Sequence, residues 1–183
     1  MHITYVVHVE DKPGVLNRVS SLVRRRGYNI SSLTVGHTDT PGVSCITIVV
    51  EADPSAAARI EANLYKLVHV VRVENVTALP TVYRFLALIK VSASVETRTQ
   101  IMQIVDVFRA RVVDVATDSL MVEVTGTDEK IDGLLDILRP FGLLEVARTG
   151  QLAMTRGNAA RGAAAKAAAA DDAVDSAVVS FSV

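Results

Sequence analysis

Asp11, Gly14 and Asn29 are residues whose types and spacing could do chemistry, and the chemistry they fit is the binding of a small zwitterion. Asp11-Lys-Pro-Gly14-Val15-Leu16 reads as a loop running into a helix, and Arg26-Gly-Tyr-Asn29-Ile30 as the far end of that helix. A helix start presents backbone N–H groups with no internal partner, and the summed peptide dipole favours an anion there. Gly14 has no Cβ, so a carboxylate could approach the backbone closely. Asp11 stands near enough to neutralise an α-ammonium group, and Asn29 can donate or accept hydrogen bonds. The same spacing also serves a plain strand-to-helix turn, in which Pro-Gly merely redirects the chain and Asn29 satisfies its own backbone. Residue types alone leave these two readings level.

No catalytic constellation is legible elsewhere. An enzyme would need a nucleophile beside a base, paired carboxylates in a cleft, or metal ligands at recognisable spacing. His2 and His8 fall on one face of a strand, but without a third ligand they read as solvent-exposed side chains; His37 belongs to a turn and His69 to a strand. There is no GxGxxG and no GxxxxGK, hence no phosphate loop. The chain is therefore expected to hold no catalytic residue and no metal. Nineteen basic residues against twenty acidic ones give a net charge of -1, which removes the general attraction that nucleic acid binding relies on. The run Arg24-Arg25-Arg26 could touch a partner, yet cations also suit the last turn of a helix. Cys45, the one cysteine, lies in an apolar run and reads as a small hydrophobe in a reducing cytosol. With neither a signal-peptide layout nor an apolar run of ~20 residues, a cytoplasmic chain with no membrane span is expected.

The elements that must position the loop follow from periodicity. Ile3, Tyr5, Val7 and Val9 alternate with more polar residues, which predicts a strand over 2–10. Val15, Leu16, Val19, Leu22 and Val23 recur at helical spacing, predicting a helix over about 14–26, with Pro13 near its first turn and Gly27 as a left-handed stop. Residues 30–37 and 43–51 read as a hairpin around Asp39-Thr-Pro-Gly42. Asp53-Pro54 supplies a cap and a first-turn proline for a helix lined by Ala57, Ile60, Leu64 and Leu67, and a strand returns over 68–73. The order βαββαβ can be read again: a strand at 83–91, a helix with Ile101, Ile104, Val105 and Phe108, strands at 112–116 and 119–125, a helix with Ile131, Leu134, Leu135 and Leu138, and a strand at 143–148. The fold class is thus α+β, two tandem ferredoxin-like units whose antiparallel sheets carry helices on one face. The uncovered sheet face points to a homodimer. Residues 157–183 are alanine-rich and read as a disordered tail, apolar enough at Val178-Val-Ser-Phe-Ser-Val to dock somewhere.

Asp11-x-x-Gly14-x-Leu16-x-Arg18-Val19, Arg25-Arg-Gly-Tyr-Asn-Ile-x-Ser-Leu-Thr-Val35 and Leu64-Tyr-Lys-Leu-Val-His-Val-Val-Arg-Val73 resemble the regulatory small subunit of acetolactate synthase, also called acetohydroxyacid synthase. The likeness runs over residues 1 to about 156, through Phe108-Arg-Ala-Arg-Val-Val-Asp-Val115, Val124-Thr-Gly-Thr-Asp-Glu-Lys-Ile-Asp132 and Glu145-Val-Ala-Arg-Thr-Gly150. The resemblance implies an effector-binding ACT domain over 1–78 and a second ACT-like domain over 79–156. It implies a subunit that activates the catalytic large subunit and confers feedback inhibition by valine in branched-chain amino acid biosynthesis. Valine would bind between two ACT domains, with Asp11, Gly14, Val15 and Leu16 of one protomer facing Asn29 and Ile30 of the other. Val15 and Leu16 would offer amides, and Ile30 would wall the side-chain pocket. Thiamine diphosphate, magnesium and FAD would sit on the large subunit and none on this chain. The second unit has Ser92-Ala-Ser-Val95 where Asp11-Lys-Pro-Gly14 stands in the first, so no effector site is expected there. The alternative is an independent amino-acid sensor controlling another enzyme or transcription; the latter would need a DNA-reading helix pair or a basic domain, and neither is present.

Overall fold

A computed structural model describes residues 1–157, and the alanine-rich tail beyond them lies outside the described residues. The chain divides into two compact units, the first built chiefly on residues 1–31 and 37–82 and the second on residues 83–152. The first follows the order β1 (His2–Glu10), α1 (Val15–Arg25), β2 (Asn29–His37), β3 (Val43–Glu51), α2 (Ala57–Tyr65) and β4 (Val70–Asn75). Its sheet runs β2-β3-β1-β4, and β1 is antiparallel to both of its neighbours. This is the split βαβ arrangement, in which both crossovers carry a helix over the same face. Ile3, Tyr5, Val7 and Val9 of β1 lie opposite Val50, Ile48, Ile46 and Ser44 of β3, and all eight are buried. Val15, Val19 and Val23, spaced four apart, form the buried stripe of α1, and Ile60 and Leu64 that of α2. Gly27 takes φ +76 just past α1, and the chain turns there into β2.

Three expectations for this unit shift. Asp53 stands before a single 3₁₀ turn, Pro54–Ala56, but its side chain makes no capping hydrogen bond; its carbonyl accepts from the Ala56 N–H at 2.9 Å instead. Leu67 lies beyond α2, which ends at Tyr65, so it is not part of the helical face that its spacing from Leu64 suggested. The returning strand begins at Val70 rather than 68, because His69 takes the left-handed φ of +74 and breaks the extended backbone.

The second unit repeats the order with β5 (Thr81–Ser92), α3 (Arg98–Val107), β6 (Arg111–Val115), β7 (Ser119–Gly126), α4 (Asp128–Gly142) and β8 (Leu143–Arg148). Its strands run β6-β7-β5-β8, and a further strand, β9 (Leu152–Thr155), which periodicity did not reveal, also pairs with β5. Ala87, Ile89 and Val91 from β5 meet Ile101, Val105, Leu134 and Leu138 from the helices in a second core. Thr127 caps α4 by accepting the Lys130 N–H, and Asp128 and Glu129 in the first turn suit the positive end of its dipole. Both units are thus antiparallel sheets with helices, as the twofold sequence pattern requires.

Candidate functional site

The Asp11–Gly14 loop leaves β1 and enters α1 through a left-handed turn at Gly14. Gly14 occupies the position before α1 with φ +83, a left-handed conformation that side chains rarely adopt, and a Cβ built there would meet nothing within 4 Å. No side chain caps the helix start and no acid stands in its first turn. Among the described residues, the N–H groups of Gly14, Leu16 and Asn17 meet no acceptor, whereas the Val15 N–H donates to the Lys12 carbonyl at 3.3 Å. The amides available in the helix are therefore those of Leu16 and Asn17, one residue further on than the expected Val15 and Leu16. Val15 instead points its side chain into the core, 3 % exposed. A backbone amide leaves no mark in the residue type, so the open Asn17 N–H carries no sequence signal. The Asn17 side-chain Oδ1 accepts from Ser21 Oγ at 3.4 Å.

Two neighbouring elements hold the loop. The Asp11 N–H donates to the Gly42 carbonyl at 2.8 Å, and the Glu10 N–H donates to the His69 carbonyl at 2.8 Å. The Glu10 carboxylate lies 2.5 Å from Lys12 Nζ and 3.0 Å from His69 Nδ1. Hydrogen bonds from Lys12 and then His69 hold its pKa below the usual carboxylate range. The Asp11 carboxylate faces outward, 3.5 Å from His37 Nδ1. Both side chains of this pair stand exposed at the rim of the loop.

Asn29 opens β2 past the other end of α1 and is exposed, with Ile30 half-buried beside it. The Asn29 carboxamide makes no hydrogen bond among the described residues, so it is not consumed by its own backbone. A groove of about 340 Å³ along one flank of α1 is lined by Asn17, Ser20, Ser21, Arg24, Tyr28, Asn29 and Ile30. The eleven residues of α1 nevertheless separate the Gly14 loop from Asn29 by about 16 Å. One small ligand cannot touch both sets within one chain.

The second unit has no counterpart to this loop. The Ser94 N–H donates to Thr97 Oγ1 at 3.0 Å and the Thr97 N–H to Ser94 Oγ at 3.3 Å, so hydroxyls close the turn before α3. Arg98 adds bonds to the carbonyls of Ala116 at 2.6 Å and Thr117 at 2.9 Å.

Among the described residues, no three His, Cys, Asp or Glu side chains are grouped to hold a metal ion, and no helix is long and apolar enough to cross a membrane. His2 is exposed as expected, but His8 is not: it lies between Cys45 of β3 and Arg72 of β4 and is half-buried, with no partner for Nδ1 among the described residues.

Residues 84–157 match the family described as the small subunit of acetolactate synthase, and residues 6–72 match the small subunit-like ACT domain of the same enzyme. The acetolactate synthase small subunit of Mycolicibacterium smegmatis is 49% identical over 161 residues, which is 88% of this chain and 95% of that protein. That of Bacillus subtilis is 47% identical over 150 residues, 81% of this chain and 87% of its own length. Among solved structures, the acetolactate synthase small subunit of Thermotoga maritima superposes with a TM-score of 0.81 at 40% identity, covering 86% of this chain and 99% of that one.

Proposed function

The chain belongs to the family of acetolactate synthase small subunits, and from that premise we propose that it activates the catalytic subunit and subjects it to feedback inhibition by valine. The observation that carries the effector reading is the division of free groups along α1. An uncapped start with open amides beside Asp11 lies at one end, and an Asn29 carboxamide without a hydrogen bond at the other. A valine carboxylate fits the amides of Leu16 and Asn17 over Gly14, and its ammonium group fits Asp11. Asn29 and Ile30 of a second protomer complete the site, which requires a homodimer formed through the first unit. A twofold axis makes two equivalent sites from these two half-sites.

Valine shifts the enzyme only as far as it binds the inhibited assembly more tightly than the active one. Because its site spans two protomers, ligand and dimer geometry are linked. This chain supplies no catalytic group in this reading: thiamine diphosphate, magnesium and FAD belong to the catalytic partner, and the complex acts in the cytoplasm.

The test is Asn29→Ala. Loss of one hydrogen-bonding side chain to a charged ligand is expected to weaken valine binding about tenfold, measured by calorimetry. Activation of the catalytic subunit is expected to persist. Unchanged affinity removes Asn29 from the site, and lost activation contradicts a role confined to the effector.

A further inference from the structure

α1 carries a second set of side chains that the effector site does not use. From Lys12 to Thr38 the chain has no Asp or Glu but holds Lys12, Arg18, Arg24, Arg25 and Arg26, within a protein of net charge -1. The helix dipole accounts for Arg24 and Arg25, which stand in the last turn at its negative end. It does not account for Arg18, the fourth residue of the helix, where a cation gains nothing from the dipole.

Arg18, Leu22 and Arg25 follow at helical spacing and share a face. With Arg26 and Leu67 they line a concavity of about 550 Å³. Arg26 Nη2 donates to Asn63 Oδ1 at 3.2 Å, and Asn63 Nδ2 donates to the Arg59 carbonyl at 2.6 Å, so a neutral amide on α2 positions this guanidinium without compensating its charge. Among the described residues none of Arg18, Arg25 and Arg26 forms an ion pair; the carboxylates of the first unit that do so meet Lys12, His37, His69 and Arg72.

We infer that this face of α1 and α2 docks an acidic, apolar-anchored segment of the catalytic subunit, an inference that rests on the regulatory function proposed above. The charge calls for carboxylates, which the planar guanidinium fork holds in pairs. The leucine floor calls for apolar anchors on the same segment, and arginine is a side chain that interface cores favour. A nucleic acid backbone presents evenly spaced phosphates and no aliphatic group for Leu22 and Leu67, so it fits this concavity less well. The docking face lies roughly a third of a turn round α1 from the groove that holds Asn17, Ser21 and Asn29. One helix therefore presents effector groups on one flank and partner groups on another, and both can be engaged at once.

The experiment compares the intact chain with Arg18→Glu/Arg25→Glu and Arg18→Lys/Arg25→Lys, both altered at exposed positions. Association with the purified cognate catalytic subunit is measured by interferometry at low and high salt, and valine binding to each isolated chain by calorimetry. The glutamate variant is expected to associate about thirtyfold more weakly at low salt, and the lysine variant to fall between it and the wild type. Valine binding is expected to be the same for all three. Equal association of the wild type and the glutamate variant, with valine binding intact, overturns the docking surface and leaves the regulatory function standing. A wild-type chain that does not associate with the catalytic subunit overturns both. Tighter binding of the wild type to duplex DNA than to the catalytic subunit, abolished in the glutamate variant, overturns the docking surface in favour of nucleic acid.

Discussion

Gly14→Asp is expected to remove valine inhibition from the reconstituted enzyme while leaving its activation intact. The substitution places a carboxylate beside the open amides of Leu16 and Asn17, where the ligand's own carboxylate is to sit. Two like charges about 4 Å apart in a partly screened site repel by about 4 kcal/mol, enough to lower affinity at least a hundredfold. The fold should survive, because a Cβ at Gly14 meets nothing within 4 Å. The remaining cost is that of a φ of +83 on a residue with a side chain, about 1 kcal/mol, and aspartate tolerates that region better than most. Gly14→Ala separates charge from backbone: it carries at least the same conformational cost without the carboxylate and should keep most of the inhibition. Valine inhibition titrated in the two variants decides between them. Equal loss in both would assign the effect to the backbone, and undiminished inhibition in the aspartate variant would move the anion site elsewhere.

The second large effect lies in the other unit. Leu134 is fully buried in the core formed with Ile89, Ile101 and Val122, and Leu134→Ala removes its side chain from a site with no exposed surface. Truncations of this kind cost about 3 kcal/mol, the transfer of the lost methyl groups plus the cavity left behind. Thermal unfolding followed by circular dichroism should shift down by about 9 °C. Valine binding, proposed above to use groups of the first unit alone, should persist below that transition. A shift of under about 1 °C would mean that α4 does not pack on the β5 sheet as described.

Much of this fold is legible in the residues because burial on one face leaves a period. β1 spans His2–Glu10 and β8 spans Leu143–Arg148, the limits that periodicity and the adjoining helix predict. Its failures have local causes. Leu67 continues the spacing of Ile60 and Leu64, but α2 stops at Tyr65, and spacing cannot report a helix end that lacks a glycine. His69 takes a left-handed φ that residue type assigns to glycine or asparagine, so the apolar pattern places the start of β4 two residues early. β9 is only four residues long and exists through its pairing with β5, a distant partner.

The site divides in the same way. Pro13-Gly14 announces the turn, and a glycine at φ +83 is what such a turn requires. The free amides of Leu16 and Asn17 leave no trace in residue type, since every residue but proline carries an N–H. The basic run Arg24-Arg25-Arg26 is plain in the sequence, but its grouping with Arg18 needs the helix, and the leucine floor needs the turn after α2 to bring Leu67 beside it.

The most direct test of the central claim is calorimetric titration of the purified chain with valine, with glycine as the control that keeps the zwitterion and lacks the side chain. Saturable valine binding at no more than one ligand per protomer, as two half-sites across a twofold axis require, with no response to glycine, is the predicted result. Binding of glycine as tightly as valine, or no binding of valine by a chain that still activates the catalytic subunit, would contradict it.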